Sequence, residues 1–166
     1  MKRIITSLFV NLFVLTTLLA QGNQPSGHTE KDVSKNQGKA ITLNEKNFNR
    51  LVTDLSKGNT WNFLGKRPCL IDFYADWCGP CRMLAPVISE LAKDYQGQID
   101  VYKVNIDYAP NVARAFGIQS IPTLLFVPMN DRPTLMQGAA PKSELVSIID
   151  SLLIEPLKVK SDSIQL

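Results

Sequence analysis

Cys69-Leu70-Ile71-Asp72-Phe73-Tyr74-Ala75, followed after one residue by Trp77-Cys78-Gly79-Pro80-Cys81, is the stretch around which this chain of 166 residues is organised. The first part is an apolar run short enough for a buried strand, interrupted only by Asp72. Beyond Cys81, Met83, Leu84, Val87, Ile88, Leu91 and Ala92 recur at helical spacing, so the chain passes from strand through a tight turn into a helix. Pro80 suits the first helical turn, where a missing N–H costs nothing. Cys78 then falls at or just before the helix N-terminus, where unpaired N–H groups and the macrodipole favour an anion. A thiolate is such an anion and is the reactive form of cysteine. Cys81, three residues on, can close a disulfide with Cys78, which gives the stretch the layout of a reversible two-electron switch.

A bare C-x-x-C is shared by zinc sites and haem attachment. The flanks make it specific: Trp-Cys-Gly-Pro-Cys after a strand carrying Asp72 resembles the active site of the thioredoxin family, and the resemblance runs from about Ala40 to Leu153. It implies an α/β fold with a central mixed sheet and helices on both faces. It also implies thiol-disulfide exchange through Cys78 and Cys81, with no cofactor beyond that redox-active disulfide. Zinc is the poorer reading of the pair, because two further suitably spaced ligands are missing.

Exchange needs an attacking thiolate and a second thiol that releases the mixed disulfide. Cys78 is expected to attack, exposed by the turn and activated by the helix terminus. Cys81, one turn inside, is expected to be shielded and to resolve. Asp72, six residues before Cys78, is the candidate proton acceptor, since a carboxylate in an apolar strand has a raised pKa. The plain alternative is an acid at a strand edge or one held in a hydrogen bond. By resemblance Lys103 is the ammonium that modulates Asp72; read alone it is an ordinary solvated lysine. Ile121-Pro122-Thr123 reads as a trans strand opener by base rate. The resemblance instead implies a cis Pro122 beside the cysteines, with Trp77, Gly79, Pro80, Ile121, Gly138 and Ala139 lining a flat groove for an extended substrate segment. Cys69 is expected to be a buried, inert thiol.

The rest of the chain divides around this core. Lys2 and Arg3 precede a mostly apolar stretch from Ile4 to Leu19, and Ala20-Gln21-Gly22 places small residues where a signal peptidase reads, so residues 1–22 have the layout of a cleaved leader. An uncleaved membrane anchor is the alternative, although about 16 residues fall short of the roughly 20 needed to span a bilayer. Residues 23–39 are polar and expected to be a flexible linker; His28, the only histidine, lies there and receives no role. The domain is expected over residues 40–155, with a frayed tail over 156–166. Within it, a short strand at Ala40–Leu43 precedes a first helix opened by a capping box of Thr42 and Glu45, with Phe48, Leu51, Val52 and Leu55 inward and a stop at Gly58. Trp61 and Phe63, in a long connection, are expected to pack on the domain rather than to hold a ligand. Pro86 is expected to kink the active-site helix. Strands follow at 99–106, 123–127 and 133–137, with helices at 109–116 and from Pro141.

Net charge is +3, and without Lys2 and Arg3 the balance is 16 basic to 15 acidic residues, which gives no electrostatic reason to expect nucleic acid. Gly79-Pro80 between the cysteines resembles the reducing members of the family, whereas its strong oxidants carry a histidine there. The expectation is therefore an exported, monomeric reductase of protein disulfides in a bacterial periplasm. Its electrons would come from a membrane-embedded thiol reductase, because an exported compartment is oxidising. Alternatives are an exported oxidase or isomerase, a reductant dedicated to one client such as cytochrome c maturation, and a polypeptide-binding module without turnover.

Overall fold

The computed structural model describes residues 38–58 and 60–162. The expected leader, the linker up to residue 37 with His28, and residues 163–166 lie outside the described residues. The order begins with strand β1 (Ile41–Thr42), helix α1 (Glu45–Leu51), a 3₁₀ turn (Leu55–Lys57), β2 (Cys69–Tyr74), helix α2 (Gly79–Asp94) and β3 (Asp100–Asn105). Helix α3 (Pro110–Ala115), β4 (Thr123–Val127), β5 (Thr134–Gln137) and helix α4 (Lys142–Ile149) follow. A π turn (Asp150–Ile154) then leads into helix α5 (Glu155–Asp162). The five strands form one sheet in the order β1-β3-β2-β4-β5. The first three are parallel, and β4 and β5 are antiparallel to their neighbours, as the sequence pattern predicts. Among the described residues no helix is long and apolar enough to cross a membrane.

Alternation along β2 decides what each face of the sheet receives. Leu70 belongs to a core built with Leu84, Ile88 and Leu91 of α2 and with Leu145 and Ile149 of α4. Cys69, Ile71 and Phe73 point the other way, into a core with Phe48 and Val52 of the first helical segment and Val112 of α3. Asp72, two residues from Leu70, therefore shares the face covered by the active-site helix, while Cys69 lies on the opposite one. Pro86 lies inside α2, which continues past it to Asp94. Lys142 ties α4 to α2 by ion pairs to Glu90 (2.8 Å) and Asp94 (2.7 Å).

Three expectations are corrected. The N-cap of α1 is Asn44, not Thr42: its side chain accepts the Asn47 N–H at 2.9 Å. Thr42 is in β1, paired in register with Lys103, and Glu45 turns its carboxylate to the Asn111 backbone N–H and side-chain amide instead (2.9 and 3.0 Å). An Asn44→Ala substitution is expected to cost about 1 kcal/mol of stability in denaturant unfolding, the usual worth of such a cap. Second, α1 ends at Leu51, and Leu55 belongs to the separate 3₁₀ turn before Gly58, whose φ of +92° suits glycine. Third, the chain does not fray at Pro156 but stays helical to Asp162. Leu153 and Ile154 are buried in the core and hold that segment down. The π turn comes just before Pro156, whose ring would crowd the Leu152 carbonyl in unbroken α geometry. Trp61 and Phe63 do pack on the domain: their rings stack at 6.3 Å, and Trp61 meets Phe116 edge-on at 6.0 Å.

Candidate active site

The turn after β2 places both thiols at the start of α2. Cys78 is the N-cap residue, with extended backbone (φ −78°, ψ 112°), and Gly79 and Pro80 form the first turn. The cap is the sulfur itself: the Cys81 backbone N–H donates to Cys78 Sγ at 3.2 Å. One of the helix's orphan donors is thus aimed at that atom, which favours negative charge there. Cys78 and Cys81 are joined as a disulfide, with Cα atoms 5.3 Å apart. The expected difference in exposure is absent, since Cys78 is 4% and Cys81 3% exposed. Tyr74, Ile106 and Ile121 pack against the cluster formed by both cysteines and Ala75. What separates the two sulfurs is the helix terminus, not access to water.

Across from the pair, the Ile121–Pro122 peptide bond is cis. Cys78 Sγ lies 3.8 Å from the Ile121 carbonyl oxygen, and the Pro122 carbonyl accepts the Gly138 N–H at 2.8 Å. This last bond brings the end of β5 up to the proline, and Gly138 makes the bend with φ +91°. Trp77 (67% exposed), Pro80 and Ala139 are open to solvent, and Gly79, Ile121 and Gly138 are half-buried. The residues expected to form the groove thus sit on the segments that meet at the disulfide.

Asp72, on the strand that leads into the cysteine turn, is 1% exposed and in register with Lys103 of β3 and Leu124 of β4. Its Oδ1 has no hydrogen-bond partner. Burial raises its pKa to about 6, opposed in part by the Lys103 ammonium. That ammonium stands 4.2 Å over the centre of the Tyr74 ring, a cation–π contact that fixes it on the Asp72 side of the sheet. A buried carboxylate oxygen without a hydrogen-bond partner favours the protonated form, so Asp72 is a group able to accept a proton near neutrality. Cys69 is a fully buried free thiol whose pKa burial pushes up well above the ordinary thiol range. Among the described residues no three His, Cys, Asp or Glu side chains cluster to hold a metal ion.

The loop after β3 adds residues that the sequence pattern does not reveal. Asp107 Oδ2 accepts the Trp77 indole N–H at 3.0 Å, and the Asp107 N–H donates to Oδ1 of buried Asn105 at 2.9 Å. Asn two residues before the N–H that donates to it is a turn signal legible in sequence. The partnership with Trp77, thirty positions away, is not. Arg82 braces the same turn from α2 by donating to the Asp76 carbonyl at 3.2 Å.

Comparison with known proteins agrees with this geometry. The family model described as Thioredoxin matches residues 39–151. Thioredoxin of Borreliella burgdorferi is 43% identical over 110 residues, covering 66% of this chain and 94% of that protein. An M-type chloroplastic thioredoxin of Zea mays is 45% identical over 113 residues, which are 68% of this chain and 62% of the maize protein. Among solved structures, the crystal structure of a chloroplastic thioredoxin z superposes with a TM-score of 0.58 at 22% identity, covering 69% of this chain and 94% of that one.

Proposed function

From the premise that the chain belongs to the thioredoxin family and is a disulfide oxidoreductase of that type, acting on disulfide-containing proteins, we propose that it reduces protein disulfides outside the cytoplasm through Cys78 and Cys81. The Cys78 thiolate attacks one sulfur of the client disulfide. A Cys78–client S–S bond forms, the client S–S bond breaks, and the other client sulfur leaves as a thiolate that takes a proton. Asp72 then accepts the proton of the Cys81 thiol. The resulting thiolate attacks Cys78 Sγ, closes the Cys78–Cys81 disulfide and releases the second client sulfur. Two electrons pass to the client, and the protein ends in the oxidised form described above. Lys103 sets how readily Asp72 ionises, and cis Pro122 with Trp77, Gly79, Pro80, Ile121, Gly138 and Ala139 supports the client chain.

The observation that carries this assignment is the Cys81 N–H pointing at Cys78 Sγ, which makes Cys78 the sulfur that best holds negative charge. The export reading is supported by Lys2, Arg3, the apolar stretch to Leu19 and Ala20-Gln21-Gly22. It brings with it a membrane-embedded thiol reductase as electron donor, because an exported dithiol must be re-reduced in an oxidising compartment.

The test is the reduction potential of the Cys78–Cys81 couple in the chain lacking residues 1–22, equilibrated in glutathione and dithiothreitol buffers. The expected result is a couple that stays oxidised through the glutathione range and is reduced only by dithiothreitol. A couple reduced by glutathione would overturn the reductase reading in favour of an oxidase or isomerase.

A further inference from the structure

The loop between β3 and α3 is held by several hydrogen bonds, and it presents one side chain that the chemistry does not use. Ile106 packs against the cluster of Ala75, Cys78 and Cys81, and its N–H donates to the Tyr74 carbonyl at 2.9 Å. Asp107 is held at its N–H by Asn105 and at its carboxylate by Trp77. The Tyr108 N–H donates to the Asn105 carbonyl at 3.2 Å, Ala109 is wholly buried, and Pro110 opens α3. On this fixed backbone the Tyr108 side chain is 74% exposed, the most exposed large hydrophobic side chain among the described residues. Trp77, at 67%, is the other exposed aromatic among the described residues. Trp77 directly precedes Cys78, and Tyr108 directly follows Asp107, whose carboxylate holds the Trp77 indole.

Two aromatic side chains on a braced surface lose little conformational freedom when covered, which is the property of residues that dominate binding energy at interfaces. Any polypeptide that delivers a disulfide to Cys78 must lay its flanking residues over the neighbouring surface, and on this side that surface is Trp77 and Tyr108.

We propose that Tyr108 is a specificity-determining residue, offering with Trp77 exposed aromatic surface to an apolar side chain close in sequence to the client's reacting cysteine. The inference rests on the reading of the chain as a reductase of protein disulfides. Asp107 acts as a positioning residue, since its carboxylate holds the Trp77 indole.

The test uses two peptides joined to glutathione through a single cysteine, one with leucine and the other with serine at the three positions on either side of it. The reduced full chain is expected to prefer the leucine peptide. In Tyr108→Ala the ratio of kcat/KM between the two peptides should fall about tenfold through a higher KM for the leucine peptide, the size of a hot-spot truncation, whereas Tyr108→Phe should keep it. An unchanged ratio in Tyr108→Ala, including an equal loss on both peptides, would overturn the inference alone. Failure of the unsubstituted chain to reduce either peptide would overturn the reductase reading itself.

Discussion

Cys81→Ser is expected to stop after half a turnover with the client covalently attached, and Cys78→Ser to show no turnover above the uncatalysed background. The reason lies in the order of the two bonds. Serine at position 78 has no thiolate to offer, so the first S–S bond never forms. Serine at position 81 leaves that first step intact but removes the sulfur that must attack Cys78 Sγ, so the mixed disulfide persists. Because the two cysteines are equally covered in the oxidised protein, burial does not assign these roles; the Cys81 N–H bonded to Cys78 Sγ does. Intact mass measured after mixing with a disulfide-bonded client decides the matter. One client chain bound to Cys81→Ser, and none to Cys78→Ser, is the expected pair of results. Normal turnover by Cys81→Ser, or an adduct on Cys78→Ser, would reverse the assignment.

Asp72→Asn is expected to change both stability and the pH dependence of resolution. The folded pKa of Asp72 is raised by burial from 3.8 to about 6. A raised carboxyl pKa means that the favourable contribution of the protonated acid is fully present below the unfolded value and is lost as pH rises through the folded one. Between pH 4 and pH 7 the native chain should therefore lose about 3 kcal/mol that Asp72→Asn does not lose, from two pKa units at 1.36 kcal/mol each. Denaturant unfolding of both proteins at the two pH values measures this difference, and parallel stabilities would remove the buried charge from the explanation. The same titration governs function. Resolution should accelerate as pH rises through about 6, when Asp72 becomes able to take the Cys81 proton. In Asp72→Asn it should be slower by about 10² and flat across that window, as for loss of a general base. The stability thus given up at neutral pH is the cost of keeping a usable base inside the sheet.

The centre of the site was legible because its signals are local. The strand with its lone acid, the proline in the first turn and the apolar stripe of α2 each follow from spacing over a few residues, and α2, β2 and Asp72 lie where that spacing puts them. The active-site groove was legible only by resemblance, since nothing in Ile121-Pro122 or Gly138 alone says that β4 and β5 return to the cysteines. Where contacts are made over long distances in sequence, the pattern fell silent. Asp107 finds Trp77 across thirty residues, and β1 captures Thr42 for its pairing with β3, which leaves the capping to Asn44. At the C-terminal end, Pro156 reads as a helix breaker, yet burial of Leu153 and Ile154 outweighs that signal and a wider turn accommodates the ring. The burial of Cys78 is likewise a matter of distant contacts, since Ile106 and Ile121 pack against it from other segments.

Cys69 opens β2 and the redox pair follows its last residue, so about 16 Å of strand separates them, at roughly 3.3 Å per residue, and the sheet itself intervenes. Cysteines whose Cα atoms are more than about 7 Å apart cannot bridge. The sheet therefore insulates the third sulfur as a sheath insulates a wire. Cys69 can neither intercept the client adduct nor tempt Cys78 into a wrong pairing, and current entering at one sulfur has a single exit. Fidelity of this kind needs no proofreading step, since the faulty circuit cannot be closed.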